Sequence, residues 1–246
     1  MSGWQSAARS ETGKVRQRNE DALLAAADQG LWAIADGMGG HANGALASRS
    51  IIEGLSALQL NGTLEQRIAQ VRTELVGLNQ RLSQDLTLAA DQQDSIMGST
   101  VVVLLVEGVR GACLWAGDSR CYLWRDQRLF QLTRDHSLAQ QLIDRHRYSA
   151  EQAAQHPASQ ALTRAVGATN DLELDTVEFD VRPGDCFLLC SDGIHQASPA
   201  AVLGAALKAP TPKRAADLLI DFVMQGPARD NLSAVVVRKM PSGVRQ

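Results

Sequence analysis

Thr100-Val-Val-Val-Leu-Leu-Val106 is a continuous apolar run with no alternation of polar and apolar positions. A strand with one wet face alternates, so this run predicts a strand covered on both faces. Upstream, strands are expected over residues 4–10, 21–27 and 31–35, then helices over 43–58 and 64–88. In the second helix Leu64, Ile68, Val71, Leu75, Leu78 and Leu82 recur at helical spacing, the stripe of a helix packed on a sheet. Downstream, strands at 111–115, 119–124 and 128–132 follow at hairpin spacing. A polar, helix-like insertion at 134–165 then interrupts them. Strands resume at 173–179 and 186–191, helices follow at 199–208 and 212–225, and a strand at 232–238 precedes a short basic tail. This order has no regular βαβ alternation, which argues against a doubly wound sheet. Two facing sheets with helix pairs outside them would bury residues 101–106 on both sides. The expectation is an α+β sandwich. No internal repeat, linker or low-complexity segment divides it, so residues 1–246 are expected to form one domain.

Composition narrows the function. The 246 residues are 45% hydrophobic and 21% charged, ordinary for a soluble globular protein. A net charge of -3, with basic residues dispersed, argues against nucleic acid and membrane surfaces as partners. The first residues lack the layout of a signal peptide, and no apolar run approaches the ~20 residues that cross a bilayer. Cys113, Cys121, Cys186 and Cys190 fall in strand-like segments without metal-type pairing and are expected to be buried reduced thiols. A cytoplasmic monomer is expected.

Four aspartates sit at the ends of apolar strands. Asp36, Asp118 and Asp192 each have a glycine neighbour, and Asp230 stands just before the last strand. Carboxylates on rigid strand ends, with glycine permitting close backbone approach, suit a hard divalent cation. Each has a blander reading. Asp36-Gly37 is a common hairpin turn, but a helix rather than a strand follows Gly39-Gly40. Asp118 and Asp230 could equally be turn residues. The glycine loop at 37–40 lacks the lysine and serine of a P-loop. Glu20-Asp21, four residues after Arg16, would alone read as a surface ion-pair cluster. Beside the other aspartates they complete a set of hard oxygen ligands, with Arg16 offering a guanidinium for phosphate. His136, His146 and His156 lie in the polar insertion and read as solvated. No nucleophilic cysteine loop and no G-x-S-x-G elbow is present, leaving a metal-bound water as the available nucleophile for phosphate chemistry.

These segments, taken in order, resemble the metal-dependent serine/threonine protein phosphatases of the 2C type in their short bacterial form. The match runs from about Ser10 to Val237. It rests on Thr12-Gly13, Val15-Arg16, Asn19-Glu20-Asp21, Ala35-Asp-Gly-Met-Gly-Gly-His41 and Gly98-Ser99-Thr100. Gly117-Asp-Ser-Arg120, Leu132-Thr133, Asp135-His136-Ser137, Leu162-Thr-Arg-Ala165, Cys190-Ser-Asp-Gly193 and Asp230-Asn231 complete the series. The resemblance implies a four-layer αββα sandwich and two ions, Mn²⁺ or Mg²⁺, bridged by Asp36. It implies Glu20 and the Gly37 carbonyl on one ion, Asp192 and Asp230 on the other, and Asp118 with Asp192 at a third, weaker site. It assigns Arg16 to the substrate phosphate and Asp21 to organising metal-bound water. A metal-bridging hydroxide would attack phosphorus in line, with no phosphoenzyme. Met38 stands where eukaryotic relatives carry histidine, which leaves His41 as the candidate general acid. Residues 134–165 match the family's flap beside the active site, and the chain departs from the common bacterial pattern at Ala45 and His146. The implied partners are phosphorylated proteins and an opposing serine/threonine kinase, with a link to a secretion system as a further suggestion. The alternatives are a catalytically weak phosphoprotein-binding module of the same fold, and a two-metal nuclease, which the missing basic patch disfavours.

Overall fold

The computed structural model describes residues 3–39, 43–88 and 98–240. The chain opens with strands β1 (Trp4–Glu11), β2 (Asp21–Ala26) and β3 (Leu31–Met38) and helices α1 (Asn43–Ala57) and α2 (Leu64–Leu88). A strand block follows: β4 (Gly98–Ser99), β5 (Val101–Glu107), β6 (Arg110–Ala116), β7 (Arg120–Arg125) and β8 (Arg128–Gln131). Helices α3 (Leu138–His146) and α4 (Ala150–Ala154) form the insertion. Then come β9 (Asp175–Asp180), β10 (Cys186–Cys190), α5 (Asp192–His195), α6 (Ala200–Leu207), α7 (Pro212–Gln225) and β11 (Leu232–Lys239).

The strands form two sheets, ordered β1-β11-β10-β7-β8 and β2-β3-β5-β6-β9, with β4 paired to β3. Pairings within each sheet are antiparallel. Side chains alternate across a pleat, so each central strand feeds two apolar layers. Val102, Leu104 and Val106 of β5 meet Phe187, Leu189, Val235 and Val237 of the opposite sheet in the central layer. Val101, Val103 and Leu105 pack outward against Ile51, Leu55, Leu75 and Leu78 of α1 and α2. On the far side, Leu188, Ala234 and Val236 pack under Leu203, Leu207, Leu219 and Ile220 of α6 and α7. The doubly buried run therefore lies at the centre of an αββα sandwich, as its sequence predicts. The four cysteines are buried and free.

Three local features differ from the sequence reading. Strand β3 does not end at Ala35; it continues through Asp36-Gly37-Met38, because Gly37 and Met38 pair with Ser99 and Gly98 of β4. Asp36 is thus a strand residue rather than a strand-end residue. Asp192 opens the short helix α5 instead of entering a loop. The strand expected at 173–179 begins at Asp175.

Within the insertion, Ser137 caps α3 by accepting from the Gln140 N–H, and Ser149 and Gln152 form a reciprocal capping box on α4. The two ends of the insertion are tied to each other: the Leu138 N–H donates to the Ala161 carbonyl (2.8 Å) and the Thr163 N–H to the His136 carbonyl (2.8 Å).

Candidate active site

Strand register creates the first pair of acids. Asp21 of β2 stands directly opposite Asp36 of β3, so both side chains leave the same face of the sheet. Asp36 shares the parity of Trp32 and Ile34, which places it on the side facing the second sheet. The second sheet delivers its own acids at the same end of the sandwich: Asp192 just after β10 and Asp230 just before β11. Asp118 lies in the crossover between β6 and β7, where the chain passes from one sheet to the other. Glu20, Asp36, Gly37, Asp118, Asp192, Asp230 and Arg16 line a single cavity of about 730 Å³. Residues from opposite ends of the sequence thus meet at one edge of the central layer.

A hydrogen-bonded scaffold fixes the backbone beneath these side chains. Thr100 receives the Asp36 N–H on its hydroxyl (3.1 Å), and its own N–H donates to the Asp36 carbonyl (2.9 Å). The Gly37 N–H donates to the Glu20 carbonyl (3.1 Å). Asn231 works across both sheets: its side-chain oxygen accepts from the Glu20 N–H (2.9 Å), and its amide donates to the Thr12 and Arg18 carbonyls (2.9 Å each). Glycine at 37 and 193 is a packing requirement. A Cβ on Gly37 would stand 2.1 Å from the Gly44 carbonyl oxygen, and one on Gly193 would stand 2.1 Å from that of Asn231.

The electrostatics are those of an uncompensated acid cluster. Burial, then the neighbouring Asp21, Asp192, Asp118 and Asp230 charges, hold the Asp36 carboxyl well above its usual 3.8. Burial lifts Asp21 and Asp192 to about 6, with repulsion from Asp192 and Asp230 respectively adding to it. Burial and the Asp192 charge lift Asp118 to about 7. Asp21 accepts from the Ser191 hydroxyl on Oδ2 (2.9 Å), while its buried Oδ1 has no partner among the described residues. Arg16 at the rim donates from Nη2 to Asp230 Oδ2 (2.8 Å). Two arginines, Arg16 and Arg18, against five acids on the lining leave the cavity negative. Hard oxygen donors, mutual repulsion and an orphaned buried oxygen fit a divalent cation. Among the described residues the acids line the cavity wall and do not close into a ready-made cage of three ligands.

Of the residues singled out from sequence, Gly40 and His41 lie outside the described residues. His146 is exposed and His156 half-buried. The solvated reading of His136 is wrong: it is 8% exposed, stacks on Trp115 (centroids 6.0 Å, interplanar angle 15°) and bonds to Gly117 and Asp175. Sequence reading also passed over His195, which is buried, meets the Asp118 carbonyl through Nε2 (3.0 Å) and is pushed down to about 4 by burial. Neither histidine carries a local signal, since each is buried by partners distant in the chain.

The family model for Protein phosphatase 2C matches residues 11–233. The serine/threonine protein phosphatase PstP of Mycobacterium tuberculosis is 35% identical over 230 residues, 94% of this chain. That alignment covers 44% of PstP, so the chain spans less than half the length of this relative. Among solved structures, PppA, a key regulatory component of T6SS in Pseudomonas aeruginosa, superposes with a TM-score of 0.88 at 40% identity, covering 96% of this chain and 97% of PppA. The catalytic domain of the serine threonine protein phosphatase PstP in complex with 2 manganese ions gives 0.84 at 34% identity, covering 96% and 98%.

Proposed function

The chain belongs to the protein phosphatase 2C family, and from that premise we propose that it hydrolyses phosphoserine and phosphothreonine esters of proteins with divalent cations. The observation that carries this reading is the convergence of Glu20, Asp36, Asp192 and Asp230 from two sheets on one negative cavity, with Arg16 at its rim. Manganese is the favoured cation, supported by the two manganese ions in the PstP catalytic domain; magnesium offers the same hard-ion chemistry.

Each side chain has a defined task. Asp36, Glu20, the Gly37 carbonyl, Asp192 and Asp230 would hold two cations, with Asp36 shared between them, and Asp118 with Asp192 would hold a third. Bound cations neutralise phosphoryl oxygens and make a water acidic enough to attack at neutral pH. Arg16 spends one N–H on Asp230, and its remaining donors grip two oxygens of the substrate phosphate. Asp21, held by Ser191 beneath the cavity lining, would organise metal-bound water. His41 protonates the leaving alkoxide. The insertion at 134–165 is a flap that lies against incoming phosphopeptide, and Gln160, Ala161 and Leu162 bring its end to the cavity wall. The opposing enzyme is a serine/threonine kinase, and the likeness to PppA supports a role in controlling a secretion apparatus.

Turnover of a phosphothreonine peptide with Mn²⁺ and then with excess chelator tests the reading. Activity is expected with the metal and not with the chelator; equal rates in both would reject it.

A further inference from the structure

The crossover that carries Asp118 is held by a buried histidine from the insertion. Gly117, at φ +110°, turns the chain between the sheets. Both of its backbone polar groups are taken by His136: the Gly117 N–H donates to His136 Nδ1 (3.2 Å), and the His136 N–H donates to the Gly117 carbonyl (2.9 Å). Because Nδ1 accepts, the ring proton sits on Nε2 and is donated to Asp175 Oδ2 (3.1 Å). Arg164 secures the other oxygen of Asp175 (2.7 Å) and also Glu173 (2.9 Å). The ring is stacked on Trp115, whose indole N–H donates to the Arg134 carbonyl (2.8 Å). The Thr163 N–H donates to the His136 carbonyl (2.8 Å), so the start and finish of the insertion meet at this one residue. On the other side of the turn, His195 of α5 holds the Asp118 carbonyl (3.0 Å). The turn is thereby gripped from the insertion by one imidazole and from the sandwich body by another, while the Asp118 carboxylate stays on the cavity.

We propose that His136 is a positioning residue for Asp118, coupling the base of the flap to the weakest of the cation sites through the Gly117 amide. This rests on the reading of Asp118 as a cation ligand. His136 touches neither substrate nor cation; it fixes where the Asp118 carboxylate stands, and Asp175 and Arg164 fix His136. A shift at the flap base therefore reaches Asp118 through two hydrogen bonds.

Two substitutions at His136 separate its bonds. In His136→Asn, Oδ1 stands where Nδ1 was and still accepts from Gly117; in His136→Gln, the amide reaches toward Asp175 and the Gly117 acceptor is lost. Mn²⁺ affinity by isothermal titration calorimetry and Gly117 amide exchange by NMR are the readouts, on the full chain, with Asp118→Asn as reference. Asp118→Asn is expected to weaken one Mn²⁺ site, and His136→Gln to weaken the same site by about 10-fold or more, in the range for loss of a residue behind a ligand. His136→Gln should also speed Gly117 exchange, and His136→Asn should restore both. Equal loss in the two His136 variants, or wild-type Mn²⁺ binding in His136→Gln, overturns the proposal. Wild-type Mn²⁺ binding in Asp118→Asn removes the ligand reading itself, and the proposal with it. Should His136→Gln fail to fold, Asp175→Asn, at a side chain 47% exposed, takes its place. Faster Gly117 exchange at an unchanged melting temperature supports the coupling, and unchanged exchange overturns it.

Discussion

Asp21 and Asp36 face each other in register across two neighbouring strands. Like charges directly opposite on a sheet face are destabilising, so a sequence selected for stability alone would not keep this pair. Its retention beside Asp192 and Asp230 makes sense if cations resolve the repulsion. Asp36→Asn should therefore act in opposite directions on two properties. The metal-free variant is expected to be more stable by roughly 0.5–1 kcal/mol in urea titration, about the size of a relieved cross-strand repulsion. Its turnover of a phosphopeptide is expected to fall by on the order of 10²–10³-fold or more, as when a group that stabilises developing charge is removed. A variant that is both less stable and fully active would contradict this account of Asp36. Gly37 makes a simpler case. A methyl group there meets the Gly44 carbonyl and, at 2.8 Å, the Glu20 carbonyl, both of them backbone atoms with little room to give. Gly37→Ala should cost about 1–3 kcal/mol, in the range for overpacking, with a matching fall in the urea midpoint.

At the level of elements, the insertion and the sheets are built differently. Helix α3 buries none of its residues and α4 only Ala153, whereas β5 and β10 are buried along almost their whole length. Elements with few buried contacts open at low free energy, so hydrogen exchange should label α3 and α4 long before β5 and β10. Comparable protection in both would mean that the insertion is part of the rigid body. The same contrast explains what the sequence could disclose. Strand β5 and helix α2 announce themselves, the first through an unbroken apolar run and the second through its repeat, because burial on two faces or one leaves a local pattern. The two-residue strand β4 exists only because Gly98 and Ser99 pair with the end of β3. Its partner is some sixty residues away, and no local pattern marks it. Asp36, Asp118 and Asp192 are legible as acids beside glycines, and the ordered motifs tie Glu20, Asp21 and Asp230 to them. Their scaffold was not: Asn231 was visible as a neighbour of Asp230, yet its bonds to Glu20, Thr12 and Arg18 depend on two sheets meeting. His136 misled for a related reason. It sits in a polar stretch, and only the approach of Trp115, Gly117 and Asp175 buries it.

For the whole molecule, the acid cluster makes stability depend jointly on pH and on metal. Without cations, Asp21 and Asp192 sit near 6 and Asp118 near 7, all above their usual 3.8. Groups raised in this way bind protons more tightly in the folded chain than in the unfolded one. Their contribution to stability is complete below about pH 4 and is lost as pH rises through 6 to 7, where the folded protein must hold buried like charges. His195 works the other way. Its pKa is depressed to about 4, so it contributes stability above 6.5 that is lost as pH falls toward 4. The net pH profile of the metal-free protein therefore mixes opposing trends. The difference between metal-loaded and metal-free protein removes most of the mixture, because His195 is neutral in both folded forms over this range. Divalent cations compete with protons for the carboxylates, so the stabilisation they give should grow with pH by about 1.4 kcal/mol per pH unit for each proton displaced. Melting temperatures measured with saturating Mn²⁺ and with chelator should accordingly lie close together at pH 5 and diverge steadily to pH 8. A gap that stays constant across that range would mean that the cation does not bind where these aspartates titrate, and the cavity between the sheets would lose its standing as the metal centre.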